Sequence, residues 1–475
     1  MKKNKKQFDA LQQEQNTLDV SDLKVKKAKK PITSKSLVLI SSFLLLFGSV
    51  FVLFYFNPYF EQIHLDRLNS LGGKPLILFG LSLLAINILM LFYMFMLYLR
   101  YKEIDSVSDK ALLKTTVIVP AYNEGKLVYK TLKSLTESNF PKEKLQIIAI
   151  DDGSQDDTWN WMKKAKLELG DRIAIYQQPE NKGKRHALYR GFKLASGEVF
   201  ITVDSDSVVK TDTLRNMVSP FVKDKTCGAV AGNVRVLNRK TGLIPQMLEV
   251  SFAFSFEFIR SAQSVLGSVF CTPGALSAYR KEAVMNCLPA WINQTFMGQV
   301  STIGEDRAMT NMILKQGYKV FFQRNAYVFT NTPVNFSHLH KMFTRWERSN
   351  VRETIAMSKF AFSNFRKGAK TPTRILLLYY WSRLLLAIPL LLLMIFSVIM
   401  YPILFLNGIF IGILAFSSIQ AIFYARKRSV MESFWAYPYS IFYAFTLFWI
   451  TPYAILTAGR GGWLTRELPK PKVKI

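Results

Sequence analysis

Cysteine and histidine are scarce in this chain, at three and four among 475 residues. Cys227, Cys271 and Cys287 have no metal-ligand spacing and are expected to stay reduced. His338-Leu-His340 is the one close histidine pair, and no third ligand stands near it in sequence to complete a metal site. Acidic residues are also in deficit: 33 Asp and Glu face 62 Lys and Arg, a formal charge of +29. An excess of that size suggests nucleic acid as a partner, but no nucleic-acid motif accompanies it and the cations flank apolar stretches. Attraction to anionic lipid headgroups accounts for them instead. A signal peptide is not expected, because a long polar tail precedes the first apolar stretch and no small-residue cleavage site is evident.

What the chain has in quantity is hydrophobic residues, 50% of the total. Ser36 to Phe56 and Pro75 to Leu99 carry no charge, and each is long enough to cross a hydrocarbon core of ~30 Å. Leu384 to Met400 and Ile403 to Tyr424 repeat the pattern near the other end, as expected of an integral membrane protein. The first 36 residues hold ten lysines against four acids, whereas the connection Asn57 to Lys74 holds only Arg67 and Lys74 as cations. This asymmetry places the N-terminal tail and the long middle segment in the cytoplasm, with Asn57 to Lys74 as a small external loop. Residues 1–35, rich in Lys and Gln and short of aromatics, read as a disordered tail. Arg383 interrupts the start of one apolar stretch and either reaches to the cytoplasmic surface or faces a polar pore. Arg426-Lys-Arg428 is expected in the cytoplasm. Phe434 to Leu456 reads as one span or as a re-entrant pair broken at Pro438 and Pro452.

From Lys114 the pattern changes to alternating strands and helices, which predicts a mostly parallel sheet with helices on its faces. Thr116 to Pro120, Leu145 to Ile150, Ile173 to Tyr176 and Phe200 to Val203 read as strands. Glu124 to Ser138, a segment beginning near Asp156, and Gly183 to Leu194 read as helices. The strand at Phe200 ends in Asp204-Ser-Asp206, delivering two carboxylates to the sheet edge where open α/β folds bind ligands. Such a pair suits Mg²⁺ or Mn²⁺ together with substrate phosphates, or it is a solvated turn. Asp152, at the end of another strand, reads as a ribose ligand, whereas Asp156 reads as a helix cap. Asn181-Lys-Gly-Lys-Arg-His-Ala187 opens a helix with three cations, an arrangement that attracts phosphate or forms a basic turn.

Six motifs then fall in order: Pro120-Ala-Tyr-Asn-Glu124, Asp151-Asp-Gly-Ser154, Asn181-Lys-Gly-Lys-Arg185, Asp204-Ser-Asp206, Gly304-Glu-Asp-Arg307 and Arg345-Trp346. Together they resemble glycosyltransferase family 2, and more narrowly the processive membrane synthases of hyaluronan, chitin and chito-oligosaccharides. The resemblance implies a GT-A-like α/β domain, residues 110–335, inserted between membrane helices at 36–100 and 373–460. Interfacial amphipathic helices would occupy 336–372 and a cytoplasmic tail 461–475. It implies a UDP-sugar donor, with UDP-N-acetylglucosamine included, a growing polysaccharide acceptor, a surrounding lipid membrane and no nucleic acid.

The site residues follow from the same resemblance. Asp206, helped by Asp204, would hold Mg²⁺ or Mn²⁺ on the diphosphate, and Lys184 and Arg185 would add positive charge. Asp152 and the turn Ala121, Tyr122 and Glu124 would hold the uridine. Asp306 is the candidate base, with Glu305 beside it and Arg307 among the substrate-binding residues; Asp306 also suits a helix cap. Arg345 would contact the diphosphate and Trp346 the acceptor sugar, or both would belong with Arg348 and Arg352 to a membrane-surface stripe. Two positions depart from the family pattern: Met342 stands where a Gln precedes the Arg-Trp pair, and Thr272-Pro-Gly274 replaces the more usual Ser-Gly-Pro. Both departures fall on the acceptor side. A non-processive transferase and an inactive membrane scaffold are the competing readings.

Overall fold

The computed structural model describes residues 33–461, so the Lys-rich N-terminal tail and the expected C-terminal tail from residue 462 onward lie outside the described residues. The described residues begin with helices α1 (Thr33–Tyr55), α2 (Asn57–Asn69) and α3 (Gly73–Arg100). The expected external loop is thus largely helical: Pro58 stands in the first turn of α2, and Phe60 and Ile63 are buried. After α3, Tyr101 donates its hydroxyl to the Phe322 carbonyl at 2.8 Å, fastening the connection to the sheet that follows.

That sheet has eight strands: β1 (Thr115–Ala121), β2 (Leu145–Asp151), β3 (Ile173–Gln177), β4 (Val199–Val203), β5 (Ser207–Val209), β6 (Cys227–Val236), β7 (Leu276–Arg280) and β8 (Lys319–Thr330). Their order is β3-β2-β1-β4-β7-β6-β8-β5. Strands β3, β2, β1 and β4 are mutually parallel, β7 is antiparallel to both β4 and β6, and β8 is parallel to β6. Near-continuous apolar runs follow from burial on both faces. Val117 and Val119 face one core with Leu132 and Leu135 of α4 (Lys126–Thr136), Met162 of α5 (Thr158–Leu169) and Leu214 of α7 (Thr213–Lys223). Ile118 and Phe200 face the other, with Leu188 and Phe192 of α6 (Lys184–Leu194). Each fully buried Leu or Phe of this kind contributes roughly 1.5–3 kcal/mol of transfer free energy. The second core also holds Leu288 of α10 (Lys281–Ile292) and Met309 of α11 (Glu305–Lys315). Between β6 and β7 the chain runs through α8 (Leu243–Phe252), a widened π-helical stretch Ala253–Ile259 and α9 (Arg260–Val265).

After β8 comes the long helix α12 (Phe336–Ala361), then α13 (Thr371–Met400), α14 (Pro402–Lys427), α15 (Val430–Ser433), α16 (Ala436–Thr446) and α17 (Ile450–Leu456). Helices α1, α3, α13 and α14 are long and apolar enough to cross a membrane, and the segment from α15 to α17 is bent by 45°. Its break lies between Thr446 and Ile450 rather than at Pro438 or Pro452, each of which sits in the first turn of its helix where no amide donor is needed. The end of α14 returns to the helical segment between β6 and β7: Arg428 Nη1 lies 2.8 Å from Glu249 Oε1 of α8 and Lys427 Nζ 3.4 Å from Glu257 Oε2 of the π-helical stretch. The chain beyond α17 returns to the same side, where Arg352 donates to the Ala458 carbonyl at 2.6 Å. By length and composition the bent pair fits one broken span or a re-entrant loop.

Candidate active site

The parallel register brings the C-terminal ends of β1, β2 and β3 level, with Ala121 opposite Asp151 and Asp151 opposite Gln177. The chemistry-bearing residues gather along this edge. At the end of β1 the chain turns sharply, and Asn123 takes a left-handed φ of 51° that Asn tolerates. Ser154 Oγ accepts the Asn123 N–H at 2.9 Å, and Asn123 Oδ1 accepts the Gln155 N–H at 2.9 Å. Thr158 Oγ1 accepts the N–H groups of Glu124 and Gly125, each at 2.8 Å. The turn Ala121 to Glu124 is therefore built jointly with the loop after β2. Asp156, expected as the cap, stands one residue before the cap position, which Asp157 holds, and its Oδ1 accepts the Thr158 amide at 2.9 Å.

Asp152 is buried in this wall, and its Oδ1 accepts the Lys182 amide at 3.1 Å and the Gln178 side-chain amide. Burial pushes its carboxyl up to about 6, against the pull of those hydrogen bonds. Next along the edge, Lys184 at the start of α6 places Nζ 2.5 Å from Asp204 Oδ1 and 3.3 Å from Glu305 Oε1. Burial disfavours the ammonium, but Asp204, Glu305 and Asp306 around it hold its pKa above the ordinary lysine value. Asp206 accepts hydrogen bonds from Ser207 Oγ at 3.2 Å and Thr330 Oγ1 at 3.3 Å.

Asp306 sits opposite these groups. Helix α11 is capped by Gly304 in a left-handed conformation, φ 73°, which makes Asp306 the second helical residue and not the cap. A Cβ at Gly304 would also meet Ser349 Oγ at 2.1 Å, so only glycine fits. Asp306 Oδ2 accepts the Gly274 amide at 3.0 Å, and its Oδ1 lies 2.7 Å from the Arg307 amide. Burial and the neighbouring Glu305 charge push the Asp306 carboxyl up, to about 6. Burial works the same way on Glu305, but Lys184 prevails and holds it below the usual carboxylate range. A raised Asp306 carboxyl beside an ionised Glu305 is the arrangement in which Asp306 can take a proton. The consequence is testable. If Asp306 must be ionised, kcat/KM is expected to fall tenfold per pH unit below about 6 and to level off above it, as measured by initial rates across pH. A flat profile down to pH about 5 would contradict the assignment.

Helix α12 brings Arg345 within electrostatic reach of Glu305 and Asp306. Trp346 is 38% exposed, with ring neighbours Phe343 at 5.6 Å and Phe252 at 6.1 Å. Three expectations need correction. Arg185 is buried, donating to the Trp291 carbonyl at 2.7 Å and Gln294 Oε1 at 3.0 Å, so it buttresses the site instead of presenting its fork to phosphate. Arg307 is likewise buried and donates to Thr354 Oγ1 at 3.2 Å and to Asn350 Oδ1, joining α11 to α12. Arg348 and Arg352 do not form a membrane-surface stripe: both are buried, and Arg348 donates to Thr457 Oγ1 at 3.0 Å.

The two departures from the family pattern also find places. Met342 packs in the hydrophobic core. Thr272 Oγ1 lies 3.0 Å from the Tyr279 hydroxyl and 2.9 Å from Thr310 Oγ1, setting the loop whose Gly274 amide reaches Asp306. Glu353 went unnoticed in the sequence. It is a buried carboxylate 2.8 Å from both Gln294 Nε2 and Asn311 Nδ2, behind Arg185 and Arg307. Arg260 was missed too; its Nε lies 3.3 Å from the Cys271 carbonyl, and its guanidinium covers the Phe256 ring at 3.8 Å. Neither has a sequence signal beyond its charge within a helical stretch.

Residues 116–288 match the family model Glycosyl transferase family 2. The hyaluronan synthase of Streptococcus pyogenes serotype M6 is 30% identical over 339 residues, covering 70% of this chain and 75% of that one. The N-acetylglucosaminyltransferase of Rhizobium meliloti is 30% identical over 252 residues, covering 53% of this chain and 59% of that one. Among solved structures, the mannosyltransferase of Pyrobaculum calidifontis in complex with GDP-Man and Mn²⁺ superposes with a TM-score of 0.49 at 19% identity, covering 86% of this chain and 98% of that one.

Proposed function

The chain belongs to glycosyltransferase family 2, and from that membership we propose that it is an inverting, processive synthase of a β-linked polysaccharide containing N-acetylglucosamine. The observation that carries the reading is the juxtaposition of Asp306 with Lys184 and Asp204 at the sheet edge, beneath a helix bearing Arg345 and Trp346. The acceptor hydroxyl attacks the anomeric carbon of a UDP-sugar from the face opposite the diphosphate. Its proton passes to Asp306, the new glycosidic bond forms as the old bond to phosphate breaks, and UDP departs. Ala121, Tyr122, Glu124 and Asp152 hold the uridine. Lys184 supplies fixed positive charge toward the leaving diphosphate, Arg345 adds to it, and Trp346 offers an aromatic face to the acceptor sugar.

The residues present fit a divalent ion. Asp204 and Asp206 offer hard carboxylate oxygens, and the Lys184 ammonium on Asp204 marks this position as one that draws cations. Diphosphate and water would complete the shell of Mg²⁺ or Mn²⁺. When bound, the ion would neutralise charge on the departing diphosphate. The Lys-rich tail and the sheet lie in the cytoplasm, the chain resides in the plasma membrane, and the membrane helices pass the polymer outward.

The test is UDP release and product size from the purified protein in lipid nanodiscs. UDP-N-acetylglucosamine alone, UDP-glucuronate alone and the two together are supplied. Turnover that needs both donors and yields long chains is expected. Turnover on the amino sugar alone would make the product chitin-like, and single-sugar products would defeat the polymerase reading.

A further inference from the structure

A buried polar network stands behind Asp306, and the chemistry above leaves it without a role. Its centre is Glu353 on α12, only 3% exposed, whose carboxylate meets amide donors on two sides. Gln294, just past the end of α10, donates from Nε2 to Oε1 at 2.8 Å. Asn311 of α11 donates from Nδ2 to Oε2 at 2.8 Å, and the same nitrogen reaches the Glu353 carbonyl at 2.9 Å. Both carboxylate oxygens therefore accept, the pattern an ionised side chain provides.

From Gln294 the network runs on to the start of α11. Gln294 Oε1 accepts Arg185 Nη1 at 3.0 Å, and that nitrogen also donates to the Trp291 carbonyl at 2.7 Å. Arg185 Nε and Nη2 have no hydrogen-bond partner among the described residues, so these two bonds steer the guanidinium, which lies 5.1 Å from the Trp291 ring centre. Trp291 in turn donates Nε1–H to the Glu305 carbonyl at 2.9 Å, one residue before Asp306. Helix α11 is thus tied to one carboxylate at two places: at Glu305 through Gln294, Arg185 and Trp291, and at Asn311 directly. Arg307 adds a separate tie to Thr354 Oγ1 at 3.2 Å, which keeps α11 docked on α12 if Glu353 is changed. Glu353 follows Trp346 by seven residues, two helical turns, and so stands on the same face of α12. One helix carries both the acceptor-side Trp346 and the carboxylate that grips α11.

We propose that Glu353 is a positioning residue for sugar transfer, fixing α11 against α12 so that Asp306 meets an acceptor hydroxyl held at Trp346. This rests on the reading of Asp306 as the base. Glu353 itself touches neither donor nor acceptor. An amide in its place would turn its NH2 against Gln294 or Asn311 and leave buried donors unpaired. A shift of about 1 Å at the reacting atoms is enough to slow transfer roughly a hundredfold.

The test uses the full chain in nanodiscs with UDP-N-acetylglucosamine and UDP-glucuronate. It reads kcat and KM from UDP release, and UDP affinity by calorimetry on the same preparations. Glu353→Gln is expected to lose kcat roughly a hundredfold while donor KM and UDP affinity hold, because the nucleotide wall belongs to β1 and β2. Combining Glu353→Gln with Gln294→Glu moves the carboxylate to the other side of the same contact. The carboxylate at position 294 then accepts from Arg185 and from the amide at 353, whose oxygen accepts from Asn311, so every donor is paired again. The double variant is expected to regain at least about tenfold in kcat, a coupling of the size that touching residues show. Parental kcat in Glu353→Gln, or a double variant as slow as the single one, would overturn the proposal. So would loss of UDP affinity in step with kcat, which would assign Glu353 to holding the fold. Parental turnover of Asp306→Asn would defeat the base reading instead, a separate result from a separate variant.

Discussion

Asp306→Asn is expected to lower sugar transfer roughly a thousandfold, within the range that a positioned general base supplies. The change is nearly isosteric, so the hydrogen bond that Oδ2 accepts from the Gly274 amide and the helix start at Gly304 can survive it. What it removes is the proton acceptor, together with the negative charge that Glu305 and burial already make costly. Binding of UDP is expected to hold, because the nucleotide wall of Asp152 and the Asn123 turn belongs to β1 and β2, not to α11. The measurement is a pair: initial transfer rate and UDP affinity by calorimetry on the same preparation. Parental turnover would remove Asp306 as the base. Loss of UDP affinity together with the rate would assign it to holding the fold.

Asp206→Ala is expected to have the second largest effect, a loss of roughly 10²–10³-fold with no remaining response to Mg²⁺ or Mn²⁺. Asp206 is the carboxylate proposed to hold the ion, with Asp204, bound by Lys184, beside it. The variant would also lose the acceptor for Ser207 Oγ and Thr330 Oγ1, a local cost of about 1 kcal/mol per hydrogen bond that the sheet can bear. Electron paramagnetic resonance of Mn²⁺ in the presence of UDP reads the site directly, independent of turnover. Parental Mn²⁺ affinity in the variant would place the ion elsewhere.

The parallel half of the sheet was legible because β1, β2 and β4 are apolar runs ending in polar clusters, a pattern that burial on both faces demands. The site was legible where its residues stand at strand ends, as Asp152, Asp204 and Asp206 do. It was less legible where charge alone was the clue. Arg185 and Arg307 stand inside motifs that suggest ligand contacts, yet both are buried against neighbouring helices, and only tertiary packing decides which way an arginine on a helix points. The same holds for Arg348 and Arg352, whose spacing matches a surface stripe but whose partners come from a segment a hundred residues later. Met342 illustrates the converse. A departure in a motif suggests a change in the site, but the side chain is absorbed by the core. The antiparallel insertion of β7 between β4 and β6 carries no local signal, because it depends on pairing between strands far apart in sequence.

The central claim is that one chain both transfers sugars at Asp306 and retains the growing polymer. A pulse of labelled donor followed by an excess of unlabelled donor, with product size followed over time in nanodiscs, tests it most directly. The account predicts that labelled chains keep growing to full length without a standing population of short labelled products. Short labelled products that persist through the chase would show that each addition ends in release, and would contradict it.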